Sequence, residues 1–197
     1  EMQGMFNHVL KLIDVELPAE WPRMTYVEAM RRYGSDKPDL RFEMELVDLS
    51  SELDGTDFAP FASVLEAKGE VKCIVAEGRA DYSRKQLDEL QDFVKRYGAG
   101  ALAWIKVGDE TTSSLLKALG EEKIGQLVSA SGATSGDLVL IVAGRKSVVA
   151  AALGALRVEI ARREDLIDRS AYKPLIVTEF PMFEHDEETD MYAAAHH

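Results

Sequence analysis

The chain has a single cysteine, Cys73, in 197 residues. One thiol excludes an intramolecular disulfide and any cysteine-clustered metal site, and it fits a reducing, intracellular setting. Long apolar runs are missing too. The best candidates, 137–144 and 148–156, fall short of the roughly 18–20 residues a membrane helix needs, and both are flanked by charge. No signal-peptide pattern opens the sequence. Positive charge is scarce: 23 Lys and Arg stand against 35 Asp and Glu, a formal net charge of −12. Residues 1–41 carry −1, residues 42–165 carry −6 and residues 166–197 carry −5. No segment is broadly basic, so general electrostatic capture of nucleic acid has no support. The one local exception is Arg145, Lys146, Arg157, Arg162 and Arg163 along one predicted helix, for which a solvated helix face is the simplest reading. Internal repeats and low-complexity tracts are absent.

What remains is ordinary globular texture, 46 % apolar and 29 % charged, with room for one domain and substantial flanks. Residues 2–12 read as a short amphipathic helix with Met5, Val9 and Leu12 on one side. Leu17-Pro18 and Trp21-Pro22 force extended backbone, because the residue before proline avoids the helical region. Thr25 with Glu28 three residues later is a capping-box pattern, so Tyr26 to Tyr33 should be helical, with Gly34 ending the helix. A polar loop, Ser35-Asp36-Lys37-Pro38-Asp39, follows.

Strands are predicted at 42–49, 71–76, 102–107 and 137–143. Helices are predicted near 60–67, from Ser83 (capped with Gln86) to Arg96, over 112–128 with interruptions at Gly120 and Gly125, and over 146–163. Gly154 inside the last helix costs about 1 kcal/mol relative to Ala, so a close packing contact is expected there. This alternation suggests a two-layer α+β domain over residues 43–165, long enough for its own core. Residues 175–180 form a further predicted strand, broken by Pro181. An acidic turn at 184–190 and a last strand at 191–195 run into His196-His197.

The densest set of potential ligands is His185, Asp186, Glu187, Glu188, His196 and His197. A metal would need three or four of them in fixed geometry; an acidic hairpin turn explains the run more simply, and the terminal histidines also resemble the start of an expression tag. Residues 143–147, Ala-Gly-Arg-Lys-Ser, lack the first glycine of a phosphate-binding loop and read as a helix start. Cys73 lies mid-strand, as a buried inert thiol does. No Ser-His-Asp or Cys-His set follows from the spacing. Asp36, Lys37, Asp39 and Arg41 put four charges into six positions, either as a solvated turn or as a salt-bridged loop beside a site.

Trp21-Pro22-Arg23-Met24-Thr25-Tyr26, Glu28-Ala29-Met30, and the run from Arg32 through Gly34-Ser35-Asp36-Lys37-Pro38-Asp39 to Phe42 carry a resemblance to bacterial-type aspartyl-tRNA synthetases. At the other end it is carried by Val177-Thr178-Glu179-Phe180-Pro181-Met182-Phe183-Glu184 and by Ala195-His196-His197. In that family Pro-Phe-Thr follows the paired histidines, which favours a native His196-His197. The middle is similar to the GAD domain inserted in these enzymes and found also in tRNA-dependent amidotransferase subunits.

The resemblance implies an α+β fold: a two-layer insertion of antiparallel strands with helices on one face at 43–165, between partial class II catalytic segments at 1–42 and 166–197. It implies a parent that attaches L-aspartate to tRNA through aspartyl-adenylate, with ATP and Mg²⁺, as a cytoplasmic homodimer. The three class II motifs, with their ATP-binding arginines, and the anticodon-binding barrel are not found here. The chain is therefore expected to be inactive alone and to bind neither ATP nor metal. His196 is carried over as an aspartate contact and His197 as its supporting neighbour, with Ser35, Asp36, Lys37 and Asp39 as a loop beside the site. The alternative is an autonomous RNA- or protein-contacting GAD module, as in an amidotransferase subunit.

Overall fold

The structure is a computed structural model and describes residues 2–186 and 190–195. In chain order it contains α1 (Met2–Lys11), β1 (Arg23–Thr25), α2 (Tyr26–Tyr33), β2 (Val47–Asp48), a 3-10 turn (Ser51–Leu53), α3 (Ala59–Glu66), β3 (Glu70–Ala76), α4 (Arg84–Lys95), β4 (Ala103–Lys106), β5 (Thr112–Ser113), α5 (Leu116–Ser131), β6 (Leu138–Gly144), α6 (Lys146–Arg163), β7 (Ile176–Thr178), β8 (Phe183–Asp186) and β9 (Met191–Ala194).

Local chemistry sets most of these limits. At α4 the Ser83 hydroxyl accepts from the Gln86 amide and the Gln86 side chain accepts from the Ser83 amide, closing both halves of the capping box. At α2 only half of the box forms. Thr25 Oγ1 accepts from the Glu28 amide at 3.1 Å, but the Glu28 carboxylate turns to Arg32 one turn on, at 2.9 Å. Gly34 ends α2 in the left-handed conformation, φ 65°. The helix expected from Thr112 starts only at Leu116. Before it, Ser113 Oγ donates to the Trp104 carbonyl at 2.9 Å, which holds residues 112–113 to β4 as an edge strand. Gly120, φ 77° and ψ 165°, breaks α5, whereas Gly125 stays within it.

Five strands form one antiparallel sheet in the order β2-β3-β6-β4-β5. The α+β class is as expected, but the layering is not. Helices cover both faces, not one. Along β6, Leu138, Leu140 and Val142 point to a core shared with Leu87, Leu90 and Val94 of α4 and Leu153, Leu156 and Ile160 of α6. Val139 and Ile141 point the other way, to Phe61 of α3 and Ile124 and Leu127 of α5. Successive strand residues face opposite sides, so an unbroken apolar run such as 138–142 needs cover on both.

Cys73 is fully buried in the second core, and burial, reinforced by the Asp48 charge, pushes its thiol up to about 12. A thiolate-directed reagent at pH 8 is expected to leave the native protein unlabelled and to label it stoichiometrically in denaturant. Rapid labelling of the native chain, followed by absorbance, would contradict that burial.

The strand expected over 42–49 shrinks to two residues. Met44 sits at φ 91°, outside any strand, and the Leu46 amide donates to the Arg32 carbonyl at 2.7 Å rather than to β3. The segment belongs to the C-terminal end of α2 and leaves the outer edge of β3 partly unpaired.

The two flanking segments pair. β1 and β7 pair in parallel, Arg23 with Ile176, Met24 with Val177 and Thr25 with Thr178. Met24, Ala29 and Tyr33 pack with Leu40, Leu175 and Val177. Arg41 and Tyr172 line one cleft with Trp21. These flanks do not keep to themselves, however: α2 also packs on α6. A Cβ built on Gly154 would lie 2.5 Å from the Gly34 carbonyl oxygen, so the two backbones touch where the sequence placed a close contact. β8 and β9 form an antiparallel hairpin, which takes residues 184–186 of the expected acidic turn into a strand.

Candidate functional site

The loop after α2 is built by short side-chain-to-backbone bonds. Gly34 turns the chain, and its amide donates to the Met30 carbonyl at 3.0 Å. The Ser35 hydroxyl then accepts from the Lys37 amide at 3.2 Å. Asp39 closes the loop: its carboxylate accepts from the Arg41 amide at 3.0 Å, from Nε at 2.9 Å and from Nη2 at 2.7 Å. That guanidinium holds the Asp39 carboxyl below its ordinary range. Asp39 is thereby committed to shaping the turn.

Ser35 and Asp36 line a cleft of about 330 Å³ with Tyr26, Phe180, Pro181 and Ala195. The Tyr26 and Phe180 rings form its wall, with centroids 5.3 Å apart and planes tilted 48°. Lys37 lines an adjoining cleft that Asp36 and Phe180 share, with Lys173 on its rim. The fold thus gathers Ser35 and Asp36 beside the end of β9 and Lys37 in the neighbouring cleft beside Val177 of β7, while Asp39 faces the cleft that Arg41 and Tyr172 line. His196 and His197, the two residues after Ala195, lie outside the described residues, as do Glu187 and Glu188 of the acidic turn. Among the described residues no three His, Cys, Asp or Glu converge as a cation site.

Two features escaped the sequence reading. The Tyr26–Phe180 wall joins residues far apart in the chain and has no local signature. Arg157, expected on a solvated basic face, is 1 % exposed. Its neighbours give no local signal for that, since Arg162 and Arg163 on the same helix stay exposed. The remaining basic face is weaker than its count, since Arg163 pairs with Glu159 at 2.8 Å and Glu89 at 3.3 Å. A cleft of about 790 Å³ is lined by Glu43, Glu45, Glu77 and Asp137, the wrong sign for an anionic substrate.

The GAD domain family matches residues 61–153. The whole chain aligns, at 51 % identity over 199 residues, with an aspartate–tRNA(Asp/Asn) ligase of Bacillus cereus, and at 50 % with one of Bacillus thuringiensis. The chain corresponds to the GAD-spanning segment of bacterial aspartate–tRNA ligases. It covers 34 % of each of these curated relatives, about a third of their length.

Within this ligase segment the described residues do not fit ATP with Mg²⁺. Among the described residues no three His, Cys, Asp or Glu stand so as to hold the cation, and the cleft beside the loop offers Lys37 and Lys173 against the several charges of a triphosphate. A hydroxyl, a carboxylate and an ammonium stand on consecutive residues, Ser35, Asp36 and Lys37, along two adjoining clefts that share Phe180 of the aromatic wall. No described helix is long and apolar enough to cross a membrane.

Proposed function

We propose that this chain supplies the aspartate-recognition surface of an aspartate–tRNA ligase, an enzyme that joins L-aspartate to tRNA through an aspartyl-adenylate made with ATP. Lys37 meets a substrate carboxylate, Asp36 its ammonium, and Ser35 orients the loop. His196, one residue beyond Ala195, is the further aspartate contact, with His197 supporting it; an imidazolium near an anionic substrate is electrostatically favourable. ATP, Mg²⁺ and tRNA belong to the remainder of the enzyme, and residues 43–165 are an insertion between two catalytic flanks, 1–42 and 166–197. The observation that carries this reading is the cleft shared by Ser35, Asp36 and Ala195. The β1–β7 pairing supports the division into flanks and insertion, because it ties residues 23–25 to 176–178 across the middle segment. Identity reaching well outside residues 61–153 favours the ligase over a free-standing GAD module.

In the full-length ligase, Lys37→Ala and His196→Ala are each expected to raise the KM for aspartate at least tenfold, about 1.4 kcal/mol, while the KM for ATP stays within about twofold. ATP–pyrophosphate exchange with each substrate varied in turn measures this. Unchanged aspartate KM in both variants would remove the loop and the histidine from the site.

A further inference from the structure

The loop 35–39 is held at both ends by a single helix. At its start, Gly34 lies against α6 so closely that a Cβ there would sit 2.2 Å from the Ala150 carbonyl oxygen, and the Gly34 carbonyl in turn abuts Gly154. At its far end Arg157, one turn along α6, donates from Nη2 to the Asp39 carbonyl at 3.1 Å and from Nε to the Met44 carbonyl at 2.9 Å. Its guanidinium lies over the Phe42 ring, 4.3 Å from the centroid, and over Tyr33, at 5.0 Å. Met44 is held at φ 91°, a conformation that a non-glycine residue adopts only when its surroundings impose it. Between these anchors Asp36 and Lys37 are exposed, and the bonds that shape their turn are local ones, Ser35 Oγ accepting from the Lys37 amide and Asp39 from Arg41. On its other side α6 is locked to the sheet by Leu153, Leu156 and Ile160, all fully buried.

We propose that Arg157 is a positioning residue for aspartate recognition: from helix α6, which begins within the GAD match, it seats the loop that presents Ser35, Asp36 and Lys37 to the substrate. The inserted domain thereby sets the geometry of the amino-acid pocket. This rests on the assignment of the loop to the aspartate site. Arginine is required because its planar fork reaches two carbonyls on separate residues while stacking on two rings; a lysine ammonium reaches one of them and stacks less well.

The test uses the full-length ligase with Arg157→Lys and Arg157→Met, their folding checked by circular dichroism and thermal unfolding, and ATP–pyrophosphate exchange as the readout. The KM for aspartate is expected to rise about fivefold in Arg157→Lys and more in Arg157→Met, with the KM for ATP within about twofold. A purely structural role would lower the active fraction, and so kcat, without moving either KM. Should Arg157→Met fail to fold, Arg157→Lys alone decides. Unchanged aspartate KM in a folded Arg157→Lys overturns the inference. Lys37→Ala separates the two levels. If it raises the aspartate KM while the Arg157 variants do not, the positioning role fails and the site stands. If neither moves it, the site assignment fails as well.

Discussion

Residues 1–197, purified alone, are expected to exchange no pyrophosphate into ATP when aspartate is added. Forming an adenylate places negative charge on the α-phosphate and the leaving pyrophosphate, and that charge must be met by prearranged cations. The cleft beside the loop offers Lys37 and Lys173, and no described arginine lines it. The cleft of about 790 Å³ carries four carboxylates, and the formal net charge of −12 opposes a triphosphate at long range as well. One lost donor at such a site typically costs a factor of about 10²–10³ in rate, so the absence of the ATP-binding arginines removes detectable turnover. The full-length ligase in the same assay supplies the positive control, and circular dichroism shows that the shorter chain is folded. Aspartate-dependent exchange that survives a further purification step would overturn the reading of this chain as a recognition surface only.

Gly154→Ala is expected to destabilise the protein, against the usual sign. In an open helix that substitution gains about 1 kcal/mol. Here the new Cβ would lie 2.5 Å from the Gly34 carbonyl oxygen and 2.9 Å from the Tyr33 carbonyl oxygen. Both obstacles are backbone, so α2 and α6 must part, at a cost of about 2–3 kcal/mol. For a chain of this size that lowers Tm by roughly 5–10 °C. Gly125→Ala is the matched control: it lies in α5 with nothing within 4 Å of a built Cβ, and it should be neutral or stabilising by up to about 1 kcal/mol. Thermal unfolding followed at 222 nm compares the two. A higher Tm for Gly154→Ala would mean that the contact between the helices does not hold in solution.

The helices were legible where their signals were local. Ser83 with Gln86 announced α4, Gly34 announced the end of α2, and α6 runs between the residues expected of it, Lys146 and Arg163. The strand over 42–49 was misread because Phe42, Met44 and Leu46 alternate like a strand. That alternation answers instead to α2, Arg157 and the cores they border. The two-sided cover of the sheet was legible in principle, since 138–142 is apolar at every position, as both faces of a buried strand require.

The sequence by itself determined the α+β class, the capped helices, the polar loop at 35–39 and the tight spot at Gly154. It also pointed to aspartyl-tRNA synthetases through motifs at both flanks. Each rests on interactions within a few residues or on residue identity alone. Only the tertiary structure decided that Ser35 and Asp36 share a cleft with Ala195 and that Arg157 leaves the basic face to hold the loop. Those outcomes join residues 118 positions apart in the case of Arg157 and Asp39. A charged side chain on a helix has two destinations, water or a buried set of carbonyls and rings. Nothing within one turn of Arg157 distinguishes them; the partners at 33, 39, 42 and 44 do, and they arrive only when the chain folds.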